Sequence, residues 1–367
     1  MSVPDQLAAE VTELVGDQAG HWDRTGLIPH DLLRKMSARG LLSAQVPGEY
    51  GGLGLSSVQN GEFTAHVGSL CSSLRSVMTS QGMAAWAVQR LGGAGQRTGL
   101  LGDLVEGRLA AVGFSEAEAG SDITAMSTTI RPDGDDVVVN GTKVWITAAH
   151  YADELVIFGR YAEGGAAVVV PADSPGVTIE RVPDPLGCRA AGHSTIRLDE
   201  VRVPATRLLG GAGMPLSMLV TLVLAYGRMS VAWGCVGILR GCLAAAGAHA
   251  RTRRQFGKPL GEHQLVGRHL AELLVSEQVA TRACEHASAR WDENAPDVVT
   301  ATVLAKHVSA TQAAQGAAAA VQVMASAGAD NSGLVARAYR DAKLMEIIEG
   351  SSELCQVMLA EHVLSDS

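Results

Sequence analysis

Val137-Val138-Val139-Asn140-Gly141-Thr142-Lys143-Val144-Trp145-Ile146 marks where the chain changes its period. Two β-branched runs flank Asn140-Gly141, a pair suited to the tight two-residue turn between antiparallel strands, so the stretch predicts a β-hairpin. Further short strands are predicted at 154–161, 167–170, 177–182 and 194–203, with Gly and Pro between them. Residues 111–210 therefore read as a small antiparallel β domain. Outward on both sides the apolar spacing is helical. Residues 1–110 form one helical domain. Residues 211–367 form a second, with bundle-length helices predicted at 231–243, 265–287, 299–327 and 339–364. The order is helices, strands, helices. Without βαβ alternation a doubly wound sheet is excluded. No G-x-G-x-x-G follows a strand and there is no Walker loop, so a nucleotide cofactor would not sit on a Rossmann turn. The fold class is mainly α with a central antiparallel β domain.

The 367 residues are 47% apolar, enough for a large core. The net charge of −9 and the lack of a basic run argue against a nucleic-acid partner. Met1-Ser2-Val3-Pro4-Asp5 has no basic-then-apolar pattern, so no signal peptide is expected and the compartment reads as cytoplasmic. The apolar stretch 218–239 is interrupted by Arg228 and small residues and reads as a buried helix, with no membrane partner. Cysteines 71, 188, 235, 242, 284 and 355 are scattered without a C-x-x-C pair, which suits reduced thiols and no metal site.

Several stretches carry chemistry. In Arg340-Asp341-Ala342-Lys343-Leu344-Met345-Glu346-Ile347-Ile348-Glu349-Gly350-Ser351-Ser352, a helix is predicted to run to Ile348 and stop at Gly350. Glu349 then sits at the negative end of a helix among apolar neighbours. Both factors raise a carboxyl pKa toward that of a general base; alone, a surface Glu is the plainer reading. Phe114-Ser115-Glu116-Ala117-Glu118-Ala119-Gly120-Ser121-Asp122 is a small-residue loop able to approach a planar or phosphorylated ligand, or an ordinary polar loop. Trp145 and Thr147 close a strand; alone, Trp145 suits a core. Arg253-Arg254-Gln255-Phe256-Gly257-Lys258-Pro259-Leu260, joining two long helices, suits a pyrophosphate or a solvated turn. The helical run 57–91 carries Ser69, Ser72, Ser73, Arg75, Ser76, Thr79, Ser80 and Gln81, either as a solvated face or as the lining of a polar pocket.

Taken together and in order, these stretches resemble the acyl-CoA dehydrogenase family along the whole chain. The resemblance implies an N-terminal helical domain, a middle β domain, a C-terminal four-helix bundle and bound FAD. It implies that Ser115 and Thr147 meet the flavin edge, that Phe114 and Trp145 lie beside it, and that Ser121 contacts a phosphate. It places Gln322 and Ser351 among the cofactor contacts. Arg253 and Phe256 would reach the FAD of a neighbouring subunit, so a homodimer or homotetramer is implied. Glu349 occupies the position of the catalytic base in many members, with Ser351 where they carry Thr; other members place the base near Tyr226-Gly227-Arg228, where Gly227 cannot serve. The 74–81 segment resembles that of glutaryl-CoA dehydrogenases, in which an Arg and a Ser grip a distal carboxylate. Arg75, Ser76 and Arg228 are therefore expected at the substrate, a short acyl chain ending in a carboxylate or hydroxyl group, with pairing of Arg75 to a protein carboxylate as the alternative. The overall look is similar to the biosynthetic branch that oxidises short units on an acyl carrier protein, as in hydroxymalonyl or methoxymalonyl extender-unit supply for polyketides. A catabolic short-chain or dicarboxylyl-CoA dehydrogenase, and a flavin-dependent oxygenase on the same scaffold, are the other readings. The electron acceptor is not read from the sequence.

Overall fold

The computed structural model describes residues 3–365; Met1 and Ser2, on which the expectation about a signal peptide begins, lie outside them. The first part of the chain is helical: α1 (Val3–Val15), α2 (Ala19–Thr25), α3 (His30–Ser37), α4 (Ser57–Leu70), α5 (Ser72–Leu91), and the short turns α6 (Ala94–Gln96) and α7 (Gly102–Val105). The predicted 57–91 helix is two helices. Cys71 breaks it with extended backbone, φ −158° and ψ 107°, and its Sγ accepts the Leu74 N–H. The break re-aims α5 into the molecule, and every residue from Ser72 to Ala85 is buried. The polar run is thus an interior surface.

The strands are β1 (Ala110–Gly113), β2 (Thr129–Asp133), β3 (Asp136–Ile146), β4 (Glu154–Tyr161), β5 (Gly164–Pro171), β6 (Val177–Arg181) and β7 (Ser194–Pro204). They form one sheet in the order β1-β4-β2-β3-β7-β6, with β5 on β4. The sheet is mixed where an antiparallel one was expected: β1 and β2 both run parallel to β4. No tight turn joins either pair, so antiparallel pairing is not imposed on them. The expected hairpin at Asn140-Gly141 is also absent, and β3 runs straight through it. The turn lies at Gly134-Asp135, between paired Asp133 and Asp136. Asn140-Gly141 instead marks a shift of register against β7. A Cβ on Gly141 would lie 2.3 Å from Thr128 Oγ1, so this glycine serves a close approach.

The third part comprises α8 (Leu216–Thr252), the small hairpin β8 (Arg254–Gln255) and β9 (Lys258–Pro259), then α9 (Gln264–Asp292), α10 (Val298–Met324), α11 (Leu334–Met345) and α12 (Ser352–Ser365). α8 is long and apolar enough to cross a membrane by composition, but 89% of its apolar window is buried, against α4, α5, α9 and α10. At Gly237 a Cβ would stand 2.1 Å from the Ala65 carbonyl, so α4 and α8 touch backbone to backbone. The buried alanines 301, 305, 310, 313, 317 and 320 give α10 a narrow face that lets it pack closely on the same bundle. The single helix predicted over 339–364 is interrupted at 346–351, and that interruption builds the site.

Candidate active site

A cleft opens where α5, the sheet and the end of α11 meet. Arg75, Ser76, Thr79, Ser80 and Met83 line it from α5, at the i, i+4 spacing that puts side chains on one helix face. Leu344, Met345, Ile348 and Glu349 line it opposite.

α11 ends at Met345, three residues before the predicted stop, and the chain then turns through Glu346–Gly350. The Ile348 N–H still reaches the Leu344 carbonyl at 3.0 Å, while Ser352 N–H returns to the Glu346 carbonyl at 2.9 Å. Glu349 sits in the left-handed region at φ 56°, a conformation a non-glycine residue holds only when its surroundings enforce it. Two buried cations do so. Arg228 Nε donates to the Glu349 carbonyl at 3.1 Å and Lys306 Nζ to the Gly350 carbonyl at 2.5 Å. Burial pushes the Glu349 carboxyl up, Arg228, Lys306 and Arg75 pull it back, and the balance is about 6. Of the two causes expected from the sequence, a helix end and desolvation, desolvation is the leading one here. Glu349 Oε2 is buried with no protein partner. Gly227 faces it from α8, where a Cβ would lie 2.4 Å from Oε2.

Arg75 is 1% exposed. Its Nη1 donates to Thr79 Oγ1 at 3.2 Å, its Nη2 to Met345 Sδ at 3.0 Å, and its Nε has no partner. Among the described residues no carboxylate forms an ion pair with it, so the expected alternative of a protein counter-ion is not realised. A desolvated guanidinium costs several kcal/mol unless an anion meets it. His193 and Cys188 share the cleft with Arg75. Neither was expected there. They come from the segment 187–193, which is tied to α11 and α5 by Cys188 N–H to Asp341 Oδ1 at 2.6 Å and Ala190 N–H to Ser73 Oγ at 3.2 Å. A lone His and Cys in a loop of small residues have no period, and no sequence signal singles them out. Burial pushes the Cys188 thiol up, which keeps it unreactive.

The sheet contributes Phe114, Ser115, Trp145 and Thr147. Trp145 is 57% exposed although Lys143 and Ile146 beside it are buried, and it stands at φ 58° where β3 loses register with β7. The bulge turns an indole face outward at the cleft, beside two hydroxyls. That is a fit for a flat heteroaromatic ring with polar edges, which FAD presents. A buried pair sets the Phe114-Ser115 backbone. Lys143 Nζ donates to the Phe114 carbonyl at 3.1 Å and to Glu116 Oε1 at 2.8 Å, and Val144 N–H donates to the Ser115 carbonyl at 2.9 Å. Glu116 further accepts both backbone N–H groups of Ser127 and Thr128.

The other expected residues lie elsewhere. Arg228, expected at the substrate, does not line the cleft and instead donates to the Glu349 carbonyl. Ser121 is exposed on the loop beyond Glu116. Ser351 Oγ accepts the Leu354 N–H and so caps α12. Arg253 and Gln322 are exposed on the bundle, and Phe256 is 94% exposed at the tip of the β8–β9 hairpin.

Comparison with known proteins agrees with this arrangement. Family models for the N-terminal, middle and C-terminal domains of acyl-CoA dehydrogenase match residues 3–108, 111–201 and 211–364. The probable acyl-CoA dehydrogenase YngJ of Bacillus subtilis is 33% identical over 358 residues, covering 95% of this chain and 94% of its own. The structure of FkbI, described as serving biosynthesis of the methoxymalonyl extender unit of the polyketide FK520, is 65% identical with a TM-score of 0.94, covering 98% of this chain and 99% of its own. A glutaryl-CoA dehydrogenase of Mycobacterium smegmatis in complex with FADH2 is 25% identical with a TM-score of 0.92, covering 99% and 95%.

Proposed function

The chain belongs to the acyl-CoA dehydrogenase family, and from that premise we propose that it oxidises a short, carboxylated acyl thioester carried on an acyl carrier protein, in extender-unit supply for a polyketide. It is an FAD-dependent oxidoreductase of that family. The observation that carries the substrate reading is Arg75, a buried cation without a protein carboxylate in the same cleft as Glu349. The likeness to FkbI supports the carrier and the pathway class.

Trp145, Ser115 and Thr147 would hold the flavin of FAD, which would supply the two-electron acceptor when bound. This chain's own residues do the rest. Arg75 and Ser76 hold the distal carboxylate and so fix the acyl chain along α5. Glu349, its Oε2 unpaired and its backbone clamped by Arg228 and Lys306, takes the α-proton. Leu344, Ile348 and Met83 keep water from the reacting carbons. A thioester α-proton is weakly acidic, so a base raised to about 6 is matched to its removal near neutral pH while remaining mostly ionised.

Anaerobic bleaching of the flavin tests the reading. Succinyl and butyryl groups, each presented on CoA and on an acyl carrier protein, should bleach fastest as the carboxylated carrier-protein form. Bleaching by CoA esters alone would point to the catabolic alternative. A flavin reduced by none of them would remove dehydrogenation from the reading. Arg75→Ala should lower kcat/KM for the succinyl form about 100-fold more than for the butyryl form, as expected when a charge-assisted contact is lost. Equal losses on both would refute the carboxylate assignment.

A further inference from the structure

We propose that His193 is a positioning residue that selects acyl units bearing a hydroxyl beside the carboxylate, accepting that hydroxyl's proton in a hydrogen bond at Nε2. This rests on the reading of the cleft as an acyl-thioester site. His193 is 8% exposed and lines the cleft with Arg75 and Thr147. Its Nδ1 lies 3.2 Å from Thr147 Oγ1, and its Nε2 is buried with no protein partner. Burial, and then the Arg75 cation, push the imidazole down to about 4, so near neutral pH the ring carries one proton for two nitrogens.

Where that proton sits follows from the neighbours. Thr147 has a single hydroxyl proton, which it would donate to the edge of a bound flavin. Thr147 Oγ1 can then only accept from His193, so the ring proton stays on Nδ1. Nε2 is left as a lone pair facing the cleft. An aliphatic acyl chain leaves this buried acceptor unpaired, and a carboxylate oxygen opposes one acceptor with another. A hydroxyl O–H satisfies it. The carboxylate held by Arg75 and the hydroxyl held by His193 together define a short oxygenated diacid unit.

The test uses the FAD-loaded Glu349→Gln protein, in which turnover is blocked, titrated with succinyl-pantetheine and with its 2- and 3-hydroxy derivatives. Dissociation constants are read from the perturbation of the flavin absorbance. With His193 present, the 3-hydroxy ligand, whose hydroxyl stands beside the carboxylate, should bind about 5- to 100-fold more tightly than the succinyl ligand, the span of one buried hydrogen-bond acceptor satisfied or left unpaired, and a preference for the 2-hydroxy ligand instead overturns the proposal. His193→Asn keeps an amide near Nδ1 for Thr147 and removes Nε2, and should bring the ratio to about unity with the flavin spectrum unchanged. His193→Gln returns a polar group to the Nε2 position and should recover part of the preference. Equal binding of all three ligands with His193 present, or a full preference kept by His193→Asn, overturns the proposal and leaves the acyl site standing. Should His193→Asn fail to hold FAD, the ratio with His193 present and that of His193→Gln still decide. If no ligand perturbs the flavin, the acyl-site reading falls and this proposal with it.

Discussion

Glu349 combines three costs in one side chain: a left-handed backbone, a desolvated carboxyl and an unpaired Oε2. Arg228 and Lys306 meet the cost of the turn through its carbonyls and leave the carboxylate itself free to react. With its pKa raised to about 6, the free enzyme has its base ionised above that pH and protonated below. The kcat/KM profile should therefore rise with pH through a midpoint near 6. Glu349→Gln should abolish that limb and lower kcat by more than the roughly 10²–10⁴-fold of assisted proton transfer, because no acceptor remains. A profile that keeps its midpoint in Glu349→Gln would assign the limb to another group. Glu349 was legible because a carboxylate before Gly350 stood out by position. Its pKa was legible only in direction. The sequence reading credited both a helix end and apolar neighbours; the extent of burial among side chains from α5, α8 and α11 is a property of the assembled core. His193 had no such positional mark.

At the scale of elements, the buried Lys143–Glu116 pair ties the loop after β1 to the middle of β3. Burial alone would push the Glu116 carboxyl up, but the hydrogen bonds from Lys143, Thr128 and Ser127 hold it below the ordinary range. A carboxyl depressed on folding adds stability above its unfolded value of 4.5, and that share is lost as the pH falls below it. Glu116→Ala should leave Lys143 without its counter-ion and two backbone N–H groups unpaired and cost about 3–5 kcal/mol, seen as a lower Tm at neutral pH and a weaker dependence of Tm on acid. An unchanged Tm would show that the loop is held by other contacts. Long elements with a clear period were legible, as in β4, α9 and α10. Two local signals misled. Asn140-Gly141 has the chemistry of a turn, but Thr128 and the pairing of β3 with β7 use it as a bulge. The polar stretch around Ser72 looked like one amphipathic helix because the Cys71 break leaves no Gly or Pro in the sequence.

For the whole molecule, apolar side chains remain uncovered on one side of the bundle. Leu265, Leu274, Val275 and Val279 are exposed along α9, and Phe256 stands on a hairpin tip at φ 49°. A monomer does not gain from holding an aromatic ring there, and a second copy of the chain is the expected cover. Phe256→Asp should shift sedimentation toward the monomer and lower the bound FAD per chain. A variant that stays assembled with full flavin would free this hairpin from both roles. The three-part order of helices, strands and helices was legible because periodicity extends over many residues. A surface joining copies was expected only through the resemblance, since an exposed Phe and a core Phe look alike in a sequence.

Gly227 on α8 and Glu349 in the turn after α11 are far apart in the chain, yet a side chain at 227 would begin where the carboxylate of 349 ends. The two positions therefore cannot both carry a carboxylate. Adding a carboxylate at 227 before removing Glu349 creates a clash, and removing Glu349 first leaves none. A lineage that moves this carboxylate from one position to the other must cross a valley of poor enzymes, and the two substitutions should show sign epistasis: each harmful alone, tolerated together.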